Sequence, residues 1–418
     1  MSAAPFATPA PAYGIARLVA IVFLPFATGY FMSYVFRSIN AVIAPQLSAE
    51  VGLTAGDLGF LTSTYFLTFA AFQFPLGILL DRYGPRRVQT VLLLVAASGA
   101  VVFGFAHDIT MMSIGRAMIG MGVAGSLMSS FKAFTIWFPV RLWPILNGFM
   151  LGVGGLGAMS VTTPLEISLH YMDWREIFFV LSAVTAVASI LIFIAVPEMA
   201  RDVQTTSLGI QLKELGQIYS DPLLWRILPL LITTFAANLS IQGLWAGPWL
   251  SDVAGFGRDG VAFYLMVLAG ALAGGSVLIG MLASGLARIG VPLLVTLAFG
   301  ALLFAGFQAV IVLELAPQAL WPWIGFGLLA NIVMLAYPVM SSHFPPHQTG
   351  RVATGMNLFL FGGVFLTQFL MGKIIDLWPP IASGGYDPAA YFAAFGLILG
   401  LQLVAFIWFL VPSGGPRG

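Results

Sequence analysis

The sequence predicts an all-α integral membrane protein with twelve transmembrane helices in two pseudo-symmetric six-helix bundles. Three observations carry that expectation: the composition, a series of apolar runs split once by a polar linker, and a motif that repeats between the halves. Apolar residues fill 59% of the 418 positions and charged residues only 8%, against roughly a quarter charged in soluble domains. So little polar side chain cannot coat a water-soluble body, which leaves lipid as the solvent. A span needs about 20 mostly apolar residues, so twelve take roughly 240 and leave short loops with one longer linker. The formal net charge of +1 gives no bulk attraction to nucleic acid or to an acidic partner. Cysteine is absent, which excludes disulfides, thiol catalysis and cysteine metal sites.

Apolar runs separated by charge, Pro and Gly place spans at about 17–40, 55–80, 88–106, 110–137, 144–168 and 176–196. A second set follows at about 224–250, 260–284, 290–312, 320–342, 352–375 and 391–411. The expected organisation is a disordered tail over 1–16, a bundle over 17–196, a linker over 197–223, a bundle over 224–411 and a tail over 412–418. The first tail is rich in Ala and Pro and has no basic residue before Arg17, so it lacks the start of a secretory signal peptide. The linker carries Glu198, Arg201, Asp202, Lys213, Glu214 and Asp221, with an amphipathic turn expected near Ile210–Ile218.

Basic residues orient this arrangement. With both termini cytoplasmic, that side receives Arg17, Arg82, Arg86, Arg87, Arg141, Arg201, Lys213, Arg226, Arg288, Arg351 and Arg417, and the other only Arg175 and Arg258. Eleven against two satisfies the positive-inside rule, and an odd number of spans would spoil the asymmetry. Trp137-Phe138-Pro139 followed by Arg141 and Asn147 recurs as His343-Phe344-Pro345 followed by Arg351 and Asn357, with the same six-residue Arg-to-Asn spacing. Parallel halves meeting around a midplane site are an architecture for moving solutes.

The segment Gly77-Ile-Leu-Leu-Asp81-Arg82-Tyr83-Gly84-Pro85-Arg86-Arg87 resembles the signature loop between the second and third helices of the major facilitator superfamily. Gly77 and Gly84 suit close helix approach and a tight turn. Asp81 suits capping of a neighbouring helix N-terminus, and Arg82, Arg86 and Arg87 suit an anionic leaflet. Arg116-Ala-Met-Ile-Gly120-Met-Gly122 resembles the family's fourth-helix pattern, and Asp173-Trp174-Arg175 with Phe178 its entry to the sixth helix. The resemblance covers roughly 14–412. It implies a secondary transporter working by alternating access, with the 81–87 loop as a gating element and Arg116 architectural. The fifth span carries Gly148, Gly152, Gly154, Gly155 and Gly157, a small-residue packing stripe. It lacks the Gly-Pro pair of the family's drug/proton antiporters.

Ionisable groups inside spans are costly and mark function by default. Arg37, late in the first span, stands where anion-moving members of the family often carry an arginine, although the acid that several place before it is Phe36 here. Lys132 in the fourth span is a second candidate charge contact. The competing readings are snorkelling for both and, for Arg37, an ion pair with Glu166. Glu166 is the one plausible buried acid, suited either to proton coupling or to an interfacial salt bridge. The excess of buried cations favours an anionic substrate. Asn238, Gln242 and Trp245 in the seventh span, Asn331 and Tyr337 in the tenth and Asn357 in the eleventh are candidate neutral contacts, or simply interhelical hydrogen bonds. His343 and His347 are separated by Pro345 and Pro346, so no metal site is expected; no cofactor, nucleotide loop or catalytic cluster is apparent either. The expectation is a monomeric, inner-membrane carrier of a small organic anion such as a carboxylate, with a possible proton co-substrate. A proton-driven exporter of amphiphilic or cationic compounds stays as the alternative, and a non-transporting sensor or an enzyme fits less well.

Overall fold

The computed structural model describes residues 13–198, 216–345, 348–379, 381 and 385–411. Residues 1–12 of the first expected tail, the second tail, most of the linker and His347 lie outside these residues, while Ile15 and Ala16 already belong to the first span; of the turn expected near Ile210–Ile218, only one helical turn over 216–219 is described. Every regular element among the described residues is helix, since a backbone in lipid must satisfy its own polar groups.

Eleven helical segments among the described residues are long and apolar enough to cross a membrane. One of them, Ala55–Gly104, has 50 residues, about 75 Å at 1.5 Å per residue against a hydrocarbon core of about 30 Å. Gly84 breaks it at φ 77° and ψ 163°, a conformation open to glycine and essentially closed to other residues. Pro85 then starts the next helix, as its fixed φ favours. The segment is therefore the second and third spans, and the total among the described residues is twelve.

The remaining spans are Ile15–Ser38, Ile109–Trp137, Ile145–Ser168, Trp174–Ala195, Pro222–Asp252, Arg258–Arg288, Leu293–Val312, Trp321–His343, Gly350–Ile375 and Pro388–Leu410. The first departs from expectation. After a turn at Ile39 the helix resumes and runs from Asn40 to Val51, where Gly52 at φ 71° ends it. Pro45, Gln46, Ser48 and Glu50 give that stretch the look of a loop, yet it places Arg37 well inside a helical run rather than near its end. The fifth span is interrupted between Ser160 and Thr163, and the tenth passes through a 3-10 turn at Ile332–Leu335.

The sequence repeat has a structural counterpart. Phe138 and Phe344 close the fourth and tenth spans, both in extended backbone, the conformation imposed on a residue before proline. Helices from the two sets also meet closely. A Cβ on Gly59 of the second span would stand 2.8 Å from Gln368 O of the eleventh, one on Gly155 of the fifth 2.8 Å from Ala273 Cβ of the eighth, and one on Gly247 of the seventh 2.6 Å from Ala41 O. Within the fifth-span stripe Gly154, Gly155 and Gly157 do receive neighbours, whereas Gly148 and Gly152 have nothing within 4 Å. Three of the five glycines of the expected stripe are therefore packed.

Candidate functional site

Arg37 leaves the first span half-buried and turns its guanidinium onto aromatic faces. Its Cζ lies 4.6 Å from the ring centre of Tyr34, 5.5 Å from Phe69 and 5.4 Å from Phe361. Its Nε has no partner. These rings come from the first, second and eleventh spans. Phe361 and Phe69 are themselves in contact at 4.3 Å, and Phe235 of the seventh span meets Phe361 at 5.2 Å. Among the described residues no carboxylate pairs with Arg37, so the expected alternative of an Arg37–Glu166 ion pair is absent. Ring faces attract a cation by about 0.5–2 kcal/mol each, less than the several kcal/mol that burying an ion costs. An anion at this position would supply the difference.

The seventh span faces this region. Its helix passes through a π-turn at Ile241–Trp245, a distortion that gathers at functional sites. Gln242 lines a void of about 10 Å³ with Ser38, Ala41, Val42 and Thr162, space for roughly one water. Asn238 is 1% exposed and neither its Oδ1 nor its Nδ2 has a partner; the indole nitrogen of Trp245, fully buried, also has none. Buried polar groups are normally hydrogen-bonded, so these orphaned donors and acceptors are what a polar solute would need.

Other expected contacts go elsewhere. Lys132 does not stand beside Arg37: its Nζ is 2.7 Å from Asp81 Oδ1, at the loop end of the bundle. This corrects two expectations at once, since Asp81 was to cap a neighbouring helix and instead takes a lysine 51 residues away. Gly84 does make the tight turn, but Gly77 supports no close approach, as a Cβ there would meet nothing within 4 Å. Arg86 donates to Phe193 O at 2.9 Å, capping the end of the sixth span, and both Arg86 and Arg87 pair with Glu198. Arg82 lies 5.4 Å from the Tyr83 ring. Asn331 donates to Ser276 Oγ at 2.8 Å, and Tyr337 donates to Asn357 Oδ1. Those three are taken up by bonds between helices.

Arg116 is 1% exposed, donates from Nη1 to Phe36 O at 2.9 Å and lies over the rings of Phe103 and Phe178. It braces the first span one turn from its break. Glu166 is buried, and its Oε1 has no partner. The aromatic set around Arg37 was not anticipated; with 35 Phe and 11 Tyr in the chain, nothing in the sequence marks these few.

At the end opposite the 81–87 loop, the Trp174 indole N–H donates to Glu50 Oε2 at 2.7 Å, and Arg175 pairs with the same carboxylate. Asp173 caps the sixth span with Glu176 in a capping box. The Trp174 bond, with Arg175 behind it, holds the Glu50 carboxyl below its usual value of 4.5. A depressed carboxylate contributes stability that is present above the unfolded pKa and is lost as pH falls through the native one. Glu50→Gln should lower the unfolding midpoint by about 1–2 °C at neutral pH, the scale of a partly exposed pair. The gap to the parent protein should close between pH 5 and the native Glu50 pKa; parallel curves would deny the linkage.

Among the described residues, twelve spans in two sets enclose a cation that no carboxylate pairs, an architecture for moving solutes. The chain belongs to the Major Facilitator Superfamily, whose family model matches residues 26–368. It is 32% identical over 156 residues to the probable sulfoacetate transporter SauU of Cupriavidus necator, a match covering 37% of this chain and 36% of that one. It is 27% identical over 147 residues to a probable L-galactonate transporter of Escherichia coli (strain K12), covering 35% and 32%. These matches span about a third of the length of each relative. A bacterial homologue of the human lysosomal transporter Spinster, in an inward-facing and occupied conformation, shares the fold over 95% of this chain and 97% of its own, with a TM-score of 0.74 at 16% identity.

Proposed function

We propose that this protein carries a small organic anion, of carboxylate or sulfonate type, across a bacterial inner membrane by alternating access. The observation that carries the reading is the Arg37 guanidinium, half-buried among ring faces with no carboxylate beside it among the described residues. Its planar fork matches a carboxylate or sulfonate in two parallel bonds. Asn238, Gln242 and the Trp245 N–H would take the solute's remaining oxygens. The names of the relatives are consistent with this class, both sulfoacetate and galactonate being organic anions. The eleven-to-two basic asymmetry supports cytoplasmic termini, with bundles over 17–196 and 224–411 rocking about the site.

The test is thermal unfolding of the purified protein against matched panels of carboxylates, sulfonates, neutral solutes and lipophilic cations. Binding stabilises by mass action, about 2.7 kcal/mol at a hundred times Kd. A shift confined to the anions is the expected result. Stabilisation by lipophilic cations alone would replace this reading with the exporter.

Coupling to protons would run through Glu166, a buried carboxyl whose Oε1 has no partner. Glu166→Gln in proteoliposomes should abolish accumulation driven by a pH gradient while keeping solute counterflow. Undiminished accumulation would remove Glu166 from the coupling step.

A further inference from the structure

At the end opposite the 81–87 loop a single carboxylate joins the second and eleventh spans. Asp376, the residue after the eleventh span, accepts through Oδ2 from Thr54 Oγ1 at 3.0 Å and from the Gly56 N–H at 2.9 Å. Both donors sit at the N-terminus of the second span, where backbone N–H groups lack intrahelical partners and the helix dipole is positive. The second span does not need this carboxylate as a cap, because Thr54 and Asp57 already form a complete capping box. Asp376 therefore adds a connection, one reaching 322 residues along the chain. The backbones beneath it are nearly touching: a Cβ on Gly372 would stand 2.4 Å from Ala55 O. At the other end of the second span Asp81 makes a bond of a different kind, to Lys132 of the fourth span.

We propose that Asp376 is a gating residue: its bonds to Thr54 and Gly56 hold this end of the transporter shut and break each time the central site opens toward that side. The inference concerns the opening step alone and does not depend on which solute is carried. Loss of two bonds to a charged acceptor should change the ratio of closed to open molecules by roughly tenfold or more.

The chain contains no cysteine, so pairs of introduced cysteines can be spin-labelled without background. One pair, Tyr171→Cys with Leu315→Cys, spans the Asp376 end, and a second, Tyr83→Cys with Ile289→Cys, spans the loop end; all four positions are exposed. Two variants attack the latch from its two sides. Asp376→Ala removes the acceptor. Gly56→Ala leaves it in place but sets a Cβ 2.4 Å from its Oδ2, a clash that the flexible carboxylate relieves by moving off its donors. The expected result is a long-distance population at the Asp376 end raised about tenfold in both variants, with the loop-end pair drawing closer in step. Folded Asp376→Ala and Gly56→Ala proteins that both keep the parent distance distributions would overturn the proposal.

Discussion

Replacing Arg37 with Gln should weaken anion binding by about 30-fold or more and abolish transport, while leaving the empty protein as stable as before or more so. The first half follows from removing one member of a buried charge pair, which costs about 2–5 kcal/mol once the partner has bound. The second follows from the ligand-free state, in which the guanidinium has the ring faces of Tyr34, Phe69 and Phe361, and no carboxylate among the described residues, to offset its lost hydration. Removing an under-compensated buried charge relieves the protein of its desolvation cost. The two halves are read in one experiment, an unfolding midpoint with and without anion. Arg37→Lys should recover part of the binding, because an ammonium keeps the charge but loses the two-pronged geometry and the stacking on rings. A large drop in the ligand-free midpoint of Arg37→Gln would instead assign Arg37 a bracing role like that of Arg116.

Gly120→Ala should be the most damaging single-methyl change near the site. A Cβ there would lie 2.2 Å from Tyr65 O and 2.8 Å from Tyr65 C, atoms of the second-span backbone that cannot move without the span. Overpacking of this kind costs about 1–3 kcal/mol and sometimes more. The displaced span carries Tyr65 and Phe69, so the geometry around Arg37 should loosen and transport should fall with stability. Gly148→Ala is the matched control, with nothing within 4 Å of its Cβ. There the helix propensity of Ala, about 1 kcal/mol above Gly, should hold stability level or raise it. The pair is checked by thermal unfolding and by anion uptake in proteoliposomes, and equal losses in both would show that the close approach at Gly120 is not maintained.

Much of the fold was legible because lipid leaves few choices. Apolar runs of span length, the Asp81–Arg87 loop and the Phe-Pro repeat each reappear as a span, a glycine turn and a paired helix end. The site was legible only in part. Arg37 stood out as a charge where charge is costly, and Asn238 and Gln242 as polar groups on one helix face. What the sequence could not convey was which way a polar side chain turns once spans pack. Tyr337 and Asn357 satisfy each other across the tenth and eleventh spans, Asn331 is taken by Ser276, and Lys132 by Asp81. A polar residue in a span looks the same in sequence whether it faces a solute or a neighbour. The helix over Asn40–Val51 was hidden for a different reason, since Pro45 and its polar neighbours resemble a loop until the Gly247 contact at Ala41 holds them in place.

The aromatic surroundings of Arg37 bear on how the carrier responds to acidity. A guanidinium stays charged throughout the physiological range, and the Phe69 and Phe361 faces that meet it have no proton to gain or lose. The socket therefore presents the same charge at every pH a cell encounters. Acidifying either compartment cannot switch this group off, so any proton dependence of the transport cycle must enter through another residue or through the ionisation of the solute itself.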